Sequence, residues 1–192
     1  MEISLIRHGK SQCIDNEPMM ICSFKNWVQK YDDDGVFEED EYPSESIKII
    51  SKVRFVFTSD LKRSIQSAHI LSSNSHIISD PVFREAELPC TKKKLCGLKL
   101  SPTTWTIILR ILWVFGYSKN CESYKCAKNR ARMGAEVLIK HAEEHHHAAL
   151  VGHGFFNMMI AKELRGKGWT GKRKTDTNHW KCTTYTFSNL GD

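Results

Sequence analysis

Segments that favour β-strands alternate with segments of helical periodicity along most of this 192-residue chain. The predicted strands are 2–7 (EISLIR), 53–58 (VRFVFT), 75–81 (SHIISDP) and 148–152 (AALVG), with 183–187 (TTYTF) as an added edge strand. The predicted helices are 44–51, the segment after "FTSD", 122–145 and 155–166. This alternation predicts an α/β fold, in which a mainly parallel central sheet is covered by helices on both faces.

Two of the predicted helices start beside residues that commonly cap helices. Ser44 begins the segment 44–51, and Ser59 or Asp60 precedes the next helix. A side-chain oxygen at such a position accepts a hydrogen bond from a free N–H of the first helical turn. We therefore expect these residues to cap their helices.

Composition favours a single domain over residues 1–192. Hydrophobic residues make up 41% of the chain and charged residues 26%, as in a folded globular protein. No internal repeat, low-complexity segment or long Pro/Gly/Ser-rich linker divides the sequence. The alternating pattern therefore runs through one expected domain.

Cysteine usage and hydropathy predict a cytoplasmic protein. The seven cysteines are an odd number without a C-x-x-C pair, which argues against a disulfide framework and a zinc ribbon. The longest apolar run, 107–115, is interrupted by Arg110 and falls short of the roughly 20 residues of a membrane span. The few residues before Arg7 are too short for a signal peptide. We expect reduced thiols and no membrane segment.

Charge is unevenly distributed along the chain. Residues 32–45 contain eight acidic side chains and no basic one, whereas 92–94 (KKK) and 162–174 are basic. Basic clusters attract anions, which include nucleic acids, anionic lipids and small phosphorylated molecules. Each cluster is equally compatible with a plain solvated surface, so charge alone does not define a partner.

Unusual polar residues follow three of the predicted strands. The three groups are Arg7-His8-Gly9, Ser59-Asp60 with nearby Arg63, and Gly152-His153-Gly154. Ligands of open α/β sheets bind at the carboxyl ends of the strands. We therefore expect these side chains to meet in one crevice.

Two arginines and two histidines at one sheet edge suit a phosphoryl group. Arginine donates paired hydrogen bonds to phosphate oxygens, and the start of a helix adds backbone N–H groups. A neutral histidine can attack phosphorus, while a protonated one can donate to the phosphoryl oxygens. The sequence therefore predicts a site for phosphoryl transfer.

Four motifs carry a resemblance to a known family. They are "LIRHGKS", "FTSDLKRSIQSA", "FREAEL" and "LVGHG", and the resemblance covers most of the chain from residue 3 to about 165. In this order they resemble the histidine phosphatase superfamily, the phosphoglycerate mutase-like proteins. The resemblance implies a three-layer α/β/α sandwich with a mainly parallel sheet, and an insertion at about 86–120 that covers the active site.

The same resemblance implies a role for each residue of the predicted crevice. His8 would be the nucleophile that becomes a phosphohistidine, and Arg7, Arg63 and His153 would hold the phosphoryl oxygens. The cycle needs no metal and no cofactor, because the arginines supply the stabilising charge.

Other positions match the family's acid and its phosphate pocket. Glu85 matches the general acid, which protonates the leaving alkoxide and then takes a proton from water, with Glu87 as the alternative. Ser11 and the backbone N–H of Gly154 match positions that line the phosphate pocket. Relatives commonly have asparagine or threonine at the position of Ile14, so this contact is absent here or comes from Asn16.

Plain alternatives exist for several of these features. Arg63 could pair with Asp60, one helical turn away. The triplet 145–147, with His141 before it, could suggest a metal site, although no acidic motif supports it. The run 104–117 reads as a core helix, yet Trp105, Trp113 or Tyr117 could touch the leaving group.

The sequence favours a phosphatase that acts on a small phosphorylated metabolite. A phosphoglycerate mutase is the first alternative, but such mutases are typically longer. A non-catalytic phosphate-binding module is the second, but it would not need the nucleophile. No nucleic acid or membrane partner is expected, the oligomeric state does not follow from the sequence, and specificity is expected in the loops 13–43 and 86–120.

Overall fold

A six-stranded sheet lies at the centre of the computed structural model, which describes residues 1–72, 74–90 and 97–188. The strands are β1 (Glu2–Arg7), β2 (Met19–Met20), β3 (Phe55–Thr58), β4 (His76–Ser79), β5 (Lys99–Leu100), β6 (His147–Gly152), β7 (Thr170–Gly171) and β8 (Cys182–Thr186). The helices are α1 (Ile21–Asp33), α2 (Ser44–Ile50), α3 (Lys62–Leu71), α4 (Pro102–Val114), α5 (Tyr124–His145) and α6 (Gly154–Gly166).

The central sheet has the strand order β4-β3-β6-β1-β8-β7. The first four strands are parallel, and β8 runs antiparallel to both β1 and β7. The α/β fold with a mainly parallel sheet is therefore confirmed. The predicted edge strand at 183–187 is wrong in its place, because β8 lies inside the sheet between β1 and β7.

Apolar clusters cover both faces of the sheet. Leu5 belongs to the cluster that includes Phe156 of α6, whereas Ile6 belongs to the cluster that includes Leu71 of α3. Consecutive residues of β1 serve different clusters because side chains alternate across a strand. The two clusters and the sheet between them give the three layers of an α/β/α sandwich.

A smaller cluster joins α1 to α4 beside the sheet, through Phe24, Trp105 and Leu109. The segments 13–43 and 86–120, in which the specificity loops are expected, thus each contain a helix, and the helix predicted at 104–117 is confirmed as α4. Residues 91–96, which include the basic stretch 92–94, lie outside the described residues. No helix in the described part of the chain is long and apolar enough to cross a membrane.

Helices α2 and α3 lack the predicted caps. Pro43 precedes α2 and Leu61 precedes α3, and neither position has a side-chain capping bond. Ser44 is the first residue of α2 and does not cap it. Ser59 and Asp60 are used by the site described below, which explains why the cap prediction for α3 is wrong.

Candidate active site

Three strand ends meet at one edge of the sheet. In the parallel pairing of β1 with β6, Arg7 lies opposite Gly152, and in that of β3 with β6, Thr58 lies opposite Val151. The N–H of His8 extends the first pairing by donating to the carbonyl of Gly152 at 2.9 Å. Sheet register therefore holds the residues after these strands side by side.

His8 is a buried imidazole with one ring nitrogen free. Its Nδ1 lies 2.7 Å from the carbonyl oxygen of Gly9. A carbonyl can only accept, so Nδ1 carries the proton and Nε2 keeps its lone pair. Burial lowers the pKa of His8 well below its usual value, and the guanidinium groups of Arg63 and Arg7 lower it further. Neutral imidazole is the form that can attack phosphorus.

His153 immediately precedes α6 and lies fully buried beside His8. The two ring centroids are 5.1 Å apart in an edge-to-face arrangement. Nε2 of His153 is 2.7 Å from the hydroxyl of Ser59, and burial, with the charge of Arg63, lowers the pKa of His153 well below its usual value. When the hydroxyl donates to Nε2, the ring proton sits on Nδ1, which then becomes a donor.

Each of the two arginines is anchored through one end of its guanidinium group. A terminal nitrogen of Arg7 donates to the carbonyl of Thr177. Nη1 of Arg63 donates to the carboxylate of Asp32 at 2.8 Å, and its guanidinium lies 4.6 Å from the ring centroid of Tyr31. Helix α1 thus orients Arg63 through charge and through its aromatic ring.

The predicted alternative pair between Arg63 and Asp60 is wrong. The carboxylate of Asp60 instead forms a two-point ion pair with Arg84. Since Arg63 pairs with Asp32, the acidic segment 32–45 contributes directly to the site.

Three buried nitrogens around His8 have no hydrogen-bond partner in the ranges that the structure describes. They are Nε of Arg7, Nε of Arg63 and Nδ1 of His153. Unpaired buried donors are uncommon, because desolvation without a partner costs free energy. Arg7, His8 and Arg63 line the same cavity, and the ring of His153 lies 5.1 Å from that of His8, so the four side chains are near one another. The cluster therefore offers several donors to one small anion.

Glu85 is bound to the start of α6. Its Oε1 accepts from the N–H groups of Ala86 at 2.8 Å and Phe156 at 3.0 Å, and its Oε2 accepts from Phe155 at 3.2 Å. The N–H groups of Phe155 and Phe156 belong to the first turn of α6, where backbone donors have no partner within the helix. Glu85 thus shares a helix start with Gly154 and lines the cavity that contains both arginines.

Glu87, Ser11 and Gly154 also line this cavity. Glu87 is exposed and accepts from the N–H of Glu122 at 2.8 Å, so it is fixed to the segment before α5 rather than to α6. Ser11 is buried, and its hydroxyl accepts from the N–H two residues further on at 3.2 Å. A Cβ atom at Gly154 would lie 3.4 Å from Nε of Arg7, which shows how close these groups are.

The cavity has a volume of about 1030 Å³ and extends from the sheet edge to α1 and α4. Ile14, which departs from the family pattern, lines it with a side chain that is 73% exposed. Asn16 also lines it. The loop after Ser11 therefore presents both a hydrocarbon and an amide group to the cavity.

Helix α4 borders the cavity, but not through the side chains named from the sequence. Trp105 and Trp113 are buried and donate their indole N–H groups to backbone carbonyls, and neither lines the cavity. Tyr117 lies after the helix and does not line it either. Ile107 and Ile111 do, because they lie on a different face of α4 from the tryptophans.

His179 is a cavity residue that the sequence analysis does not single out. Its Nδ1 donates to the carbonyl oxygen of His8 at 2.9 Å, and the two ring centroids are 5.5 Å apart. Burial, with the charge of Arg7, lowers the pKa of His179. From the sequence, His179 can be placed only shortly before β8. The pairing of β8 with β1, which brings His179 to the cavity, is not visible there.

The histidines at the end of α5 have other contacts. His141 and His145 pack against the ring of Phe55, and His147 lies 3.3 Å from the carboxylate of Glu2. Among the described residues, no group of three or more histidine, cysteine, aspartate or glutamate side chains could hold a metal ion.

Solved structures resemble this fold at low sequence identity. A phosphoglycerate mutase from Bacillus anthracis superposes with a TM-score of 0.60 at 15% identity, over 100% of this chain and 93% of that chain. An open reading frame product of Mycobacterium tuberculosis gives 0.62 at 11% identity, with 98% and 92% covered. A mycobacterial glucosyl-3-phosphoglycerate phosphatase gives 0.53 at 16% identity, with 85% and 78% covered. These similarities concern the fold alone.

Comparison of the sequence with protein-family models identifies the family of this chain. No curated protein matches the sequence. The family model of the histidine phosphatase superfamily, branch 1, matches residues 45–190. This range includes Arg63, Glu85 and His153 and begins after Arg7 and His8, which the sheet register brings to the same edge. The chain belongs to branch 1 of the histidine phosphatase superfamily.

Proposed function

We propose that this protein is a phosphatase that hydrolyses a phosphate monoester of a small phosphorylated metabolite through a phosphohistidine on His8. The observation that carries the proposal is the set of three unpaired buried nitrogens, on Arg7, Arg63 and His153, around a histidine whose Nε2 is free. A phosphoryl group supplies oxygen acceptors for these donors and a phosphorus atom for the lone pair.

In the first step, the lone pair of His8 Nε2 forms a bond to phosphorus while the ester P–O bond breaks. The two guanidinium groups stabilise the charge on the phosphoryl oxygens during this transfer. Glu85, in its protonated form, gives its proton to the departing alkoxide, which leaves as an alcohol. Hydrogen bonding of Nδ1 to Gly9 stabilises the cationic ring of the phosphohistidine.

In the second step, water attacks the phosphohistidine. Glu85, now a carboxylate, takes a proton from this water as the new P–O bond forms and the P–N bond breaks. Inorganic phosphate leaves and the imidazole of His8 returns to its neutral form. The resident residues suffice for both steps, so the proposal includes no metal.

Replacement of the nucleophile tests this proposal. We expect His8→Ala to abolish turnover of p-nitrophenyl phosphate and to abolish the acid-labile phosphate label on the protein. His69→Ala, which removes an exposed histidine of α3, is the matched control and should retain both. Undiminished turnover by a folded His8→Ala protein would refute the mechanism, and tight phosphate binding without turnover by the wild-type protein would favour the binding module.

A further inference from the structure

We propose, on the basis of the function proposed above, that the alcohol part of the substrate is large and apolar. The substrate class is then a phosphate monoester of a long alkyl or polycyclic aryl alcohol rather than of a sugar or a carboxylic acid. Four observations on the cavity outside the phosphate cluster carry this inference.

The cavity is much larger than a phosphoryl group needs. At about 1030 Å³ it lies at the upper end of the range for sites that enclose whole organic ligands. The phosphate cluster lies at the sheet edge, and the cavity continues from there along residues of α1 and α4. That part of the cavity must accommodate the leaving group.

Helix α4 presents uncovered hydrocarbon to this space. Ile107 and Ile111 lie one helical turn apart on the cavity side, and their side chains are 56% and 52% exposed. Large exposed apolar side chains inside a cleft are typical of a ligand contact. An apolar leaving group would remove this surface from water.

Helix α1 supplies an aromatic row that leads to the phosphate cluster. Trp27 stacks on Tyr31 with ring centroids 5.2 Å apart, and Tyr31 lies under the guanidinium of Arg63. The indole N–H of Trp27 donates to the carbonyl of Asp15 at 2.7 Å, which fixes its ring. A substrate held by Arg63 would therefore have aromatic surface along its leaving group.

The arginines outside the phosphate cluster are already engaged. Arg84 forms its ion pair with Asp60, and Arg110 donates to the carbonyls of Ala86 and Glu87 while lying 4.4 Å from the ring centroid of Phe155. A second phosphate or a carboxylate on the substrate would need such a group as its partner.

Among the lining residues that the structure describes, the other cations of the outer wall are Lys10 and Lys25, and they share the cavity with the acidic residues Asp15 and Glu87. In this described part of the wall, the charges of the two lysines are thus balanced by two carboxylates. A neutral, apolar leaving group matches this wall better than an anionic one.

Pairs of esters with similar leaving-group acidity test the inference. We expect the kcat/KM of hexyl phosphate to exceed that of ethyl phosphate by roughly 100-fold, since each buried methylene contributes up to about fourfold. Naphthyl phosphate should likewise exceed phenyl phosphate, and comparing the gains of the two pairs distinguishes alkyl from aryl substrates. We expect 3-phosphoglycerate to be a poor substrate.

A double variant locates the preference on α4. Ile107→Ser combined with Ile111→Ser should lower the kcat/KM of hexyl phosphate at least tenfold and change that of ethyl phosphate little. The matched control is Leu112→Ser combined with Val114→Ser, which removes similarly exposed side chains that do not line the cavity. The control should leave both esters unchanged.

Two results would overturn the inference in distinguishable ways. Equal kcat/KM for hexyl and ethyl phosphate, or a preference for 3-phosphoglycerate, would refute the apolar leaving group while the phosphatase proposal stands. No turnover of any ester and no phosphohistidine label would refute both proposals.

Discussion

At the residue scale, the site combines neutral histidines with arginines that lack a full set of partners. His8 and His153 are kept neutral by burial and by the positive charge of Arg63. A neutral His8 has its nucleophilic lone pair available, and a positive surrounding attracts a phosphate dianion. The environment that keeps His8 unprotonated is thus also the one that would attract the phosphate of the proposed substrate.

Burial of two neutral histidines should make folding stability depend on pH. In the unfolded chain both imidazoles have a pKa near 6.5, whereas in the folded chain both pKa values are lower. Below about pH 6.5 the unfolded chain therefore binds more protons, and the free energy of unfolding should fall by up to about 1.4 kcal/mol per pH unit for each histidine. Above about pH 7 these two groups should have no effect.

Urea unfolding between about pH 5 and about pH 8 measures this dependence. A His8→Asn variant, which removes one of the two groups, should lose less stability between these limits than the wild-type protein. An identical pH dependence in both proteins would contradict the assignment of a neutral, buried His8.

Glu85→Gln tests the proposed role of Glu85 as the acid in the first step. We expect phosphohistidine formation from an alkyl phosphate to slow by roughly 100-fold or more, because the alkoxide needs a proton. The effect should be much smaller with p-nitrophenyl phosphate, whose leaving group is already acidic. Rapid mixing in a single turnover isolates this step.

Glu87→Gln is the matched control for that experiment. Glu87 lines the same cavity but is bound to the segment before α5, so both substrates should react almost normally. A larger loss in Glu87→Gln than in Glu85→Gln would assign the acid role to Glu87.

At the element scale, α1 and α4 form a unit that is partly independent of the sheet. Their shared cluster contains Phe24, Trp105 and Leu109, whereas Trp113 of the same helix belongs to the main core. One helix thus contributes to two clusters. Helix α1 has two buried residues and α4 has four, whereas α6, which follows His153, has six.

Two substitutions on α4 should have different effects. Trp113→Ala should lower the global free energy of unfolding by about 3–5 kcal/mol, because it leaves a cavity in the main core. Trp105→Ala should chiefly release α1, which would show as faster amide hydrogen exchange in α1 while β1 and β6 stay protected. Equal loss of protection across α1 and the sheet would contradict a separate unit.

The elements that the sequence predicts best are those with local patterns. The bounds of β1 are the predicted residues 2–7, because three of its four inner residues are apolar and Arg7 and His8 mark its end. Helix α1 has only two buried residues, Ile21 and Phe24, and Met20 before it provides no capping side chain, so no local start signal marks this helix. The cap at Ser59 fails because the hydroxyl binds His153.

The residues of the candidate site likewise divide into those with a local sequence signal and those without one. Arg7, His8, Arg63 and His153 could be named in advance because each follows a recognisable strand or starts a helix. His179, Tyr31 and Asp32 could not, since they reach the site through packing between distant segments. The apolar face of α4 could be seen in the sequence, but which side faces the cavity could not.

At the scale of the whole molecule, the last segment of the chain closes over the first strand. The N–H of Trp180 donates to the carbonyl of Arg7 at 2.9 Å, and its indole N–H donates to Glu39 at 2.7 Å. The indole ring also packs directly against Gly9. The backbone next to His8 thus depends on the fit of Trp180, which lies more than 170 residues further along the chain.

Gly9→Ala should disturb the packing of Trp180 against the end of β1. An added Cβ atom would lie 2.0 Å from the Trp180 ring, so the ring or the backbone beside His8 must move. We expect a loss of stability of about 1–3 kcal/mol and a marked loss of turnover. Gly166→Ala is the matched control, because a Cβ atom there meets nothing within 4 Å, and it should change neither quantity appreciably. Normal turnover in Gly9→Ala would contradict the close fit.

The position of Trp27 has an optical consequence. Four of the five tryptophans are buried, while Trp27 is half-buried and lines the cavity. Its emission should therefore report occupancy: hexyl phosphate bound to a His8→Ala protein should shift the tryptophan fluorescence to the blue, and inorganic phosphate should not. Trp27 is thus an intrinsic fluorescence probe at the position expected for the leaving group. Ligands can therefore be screened without a chemical label.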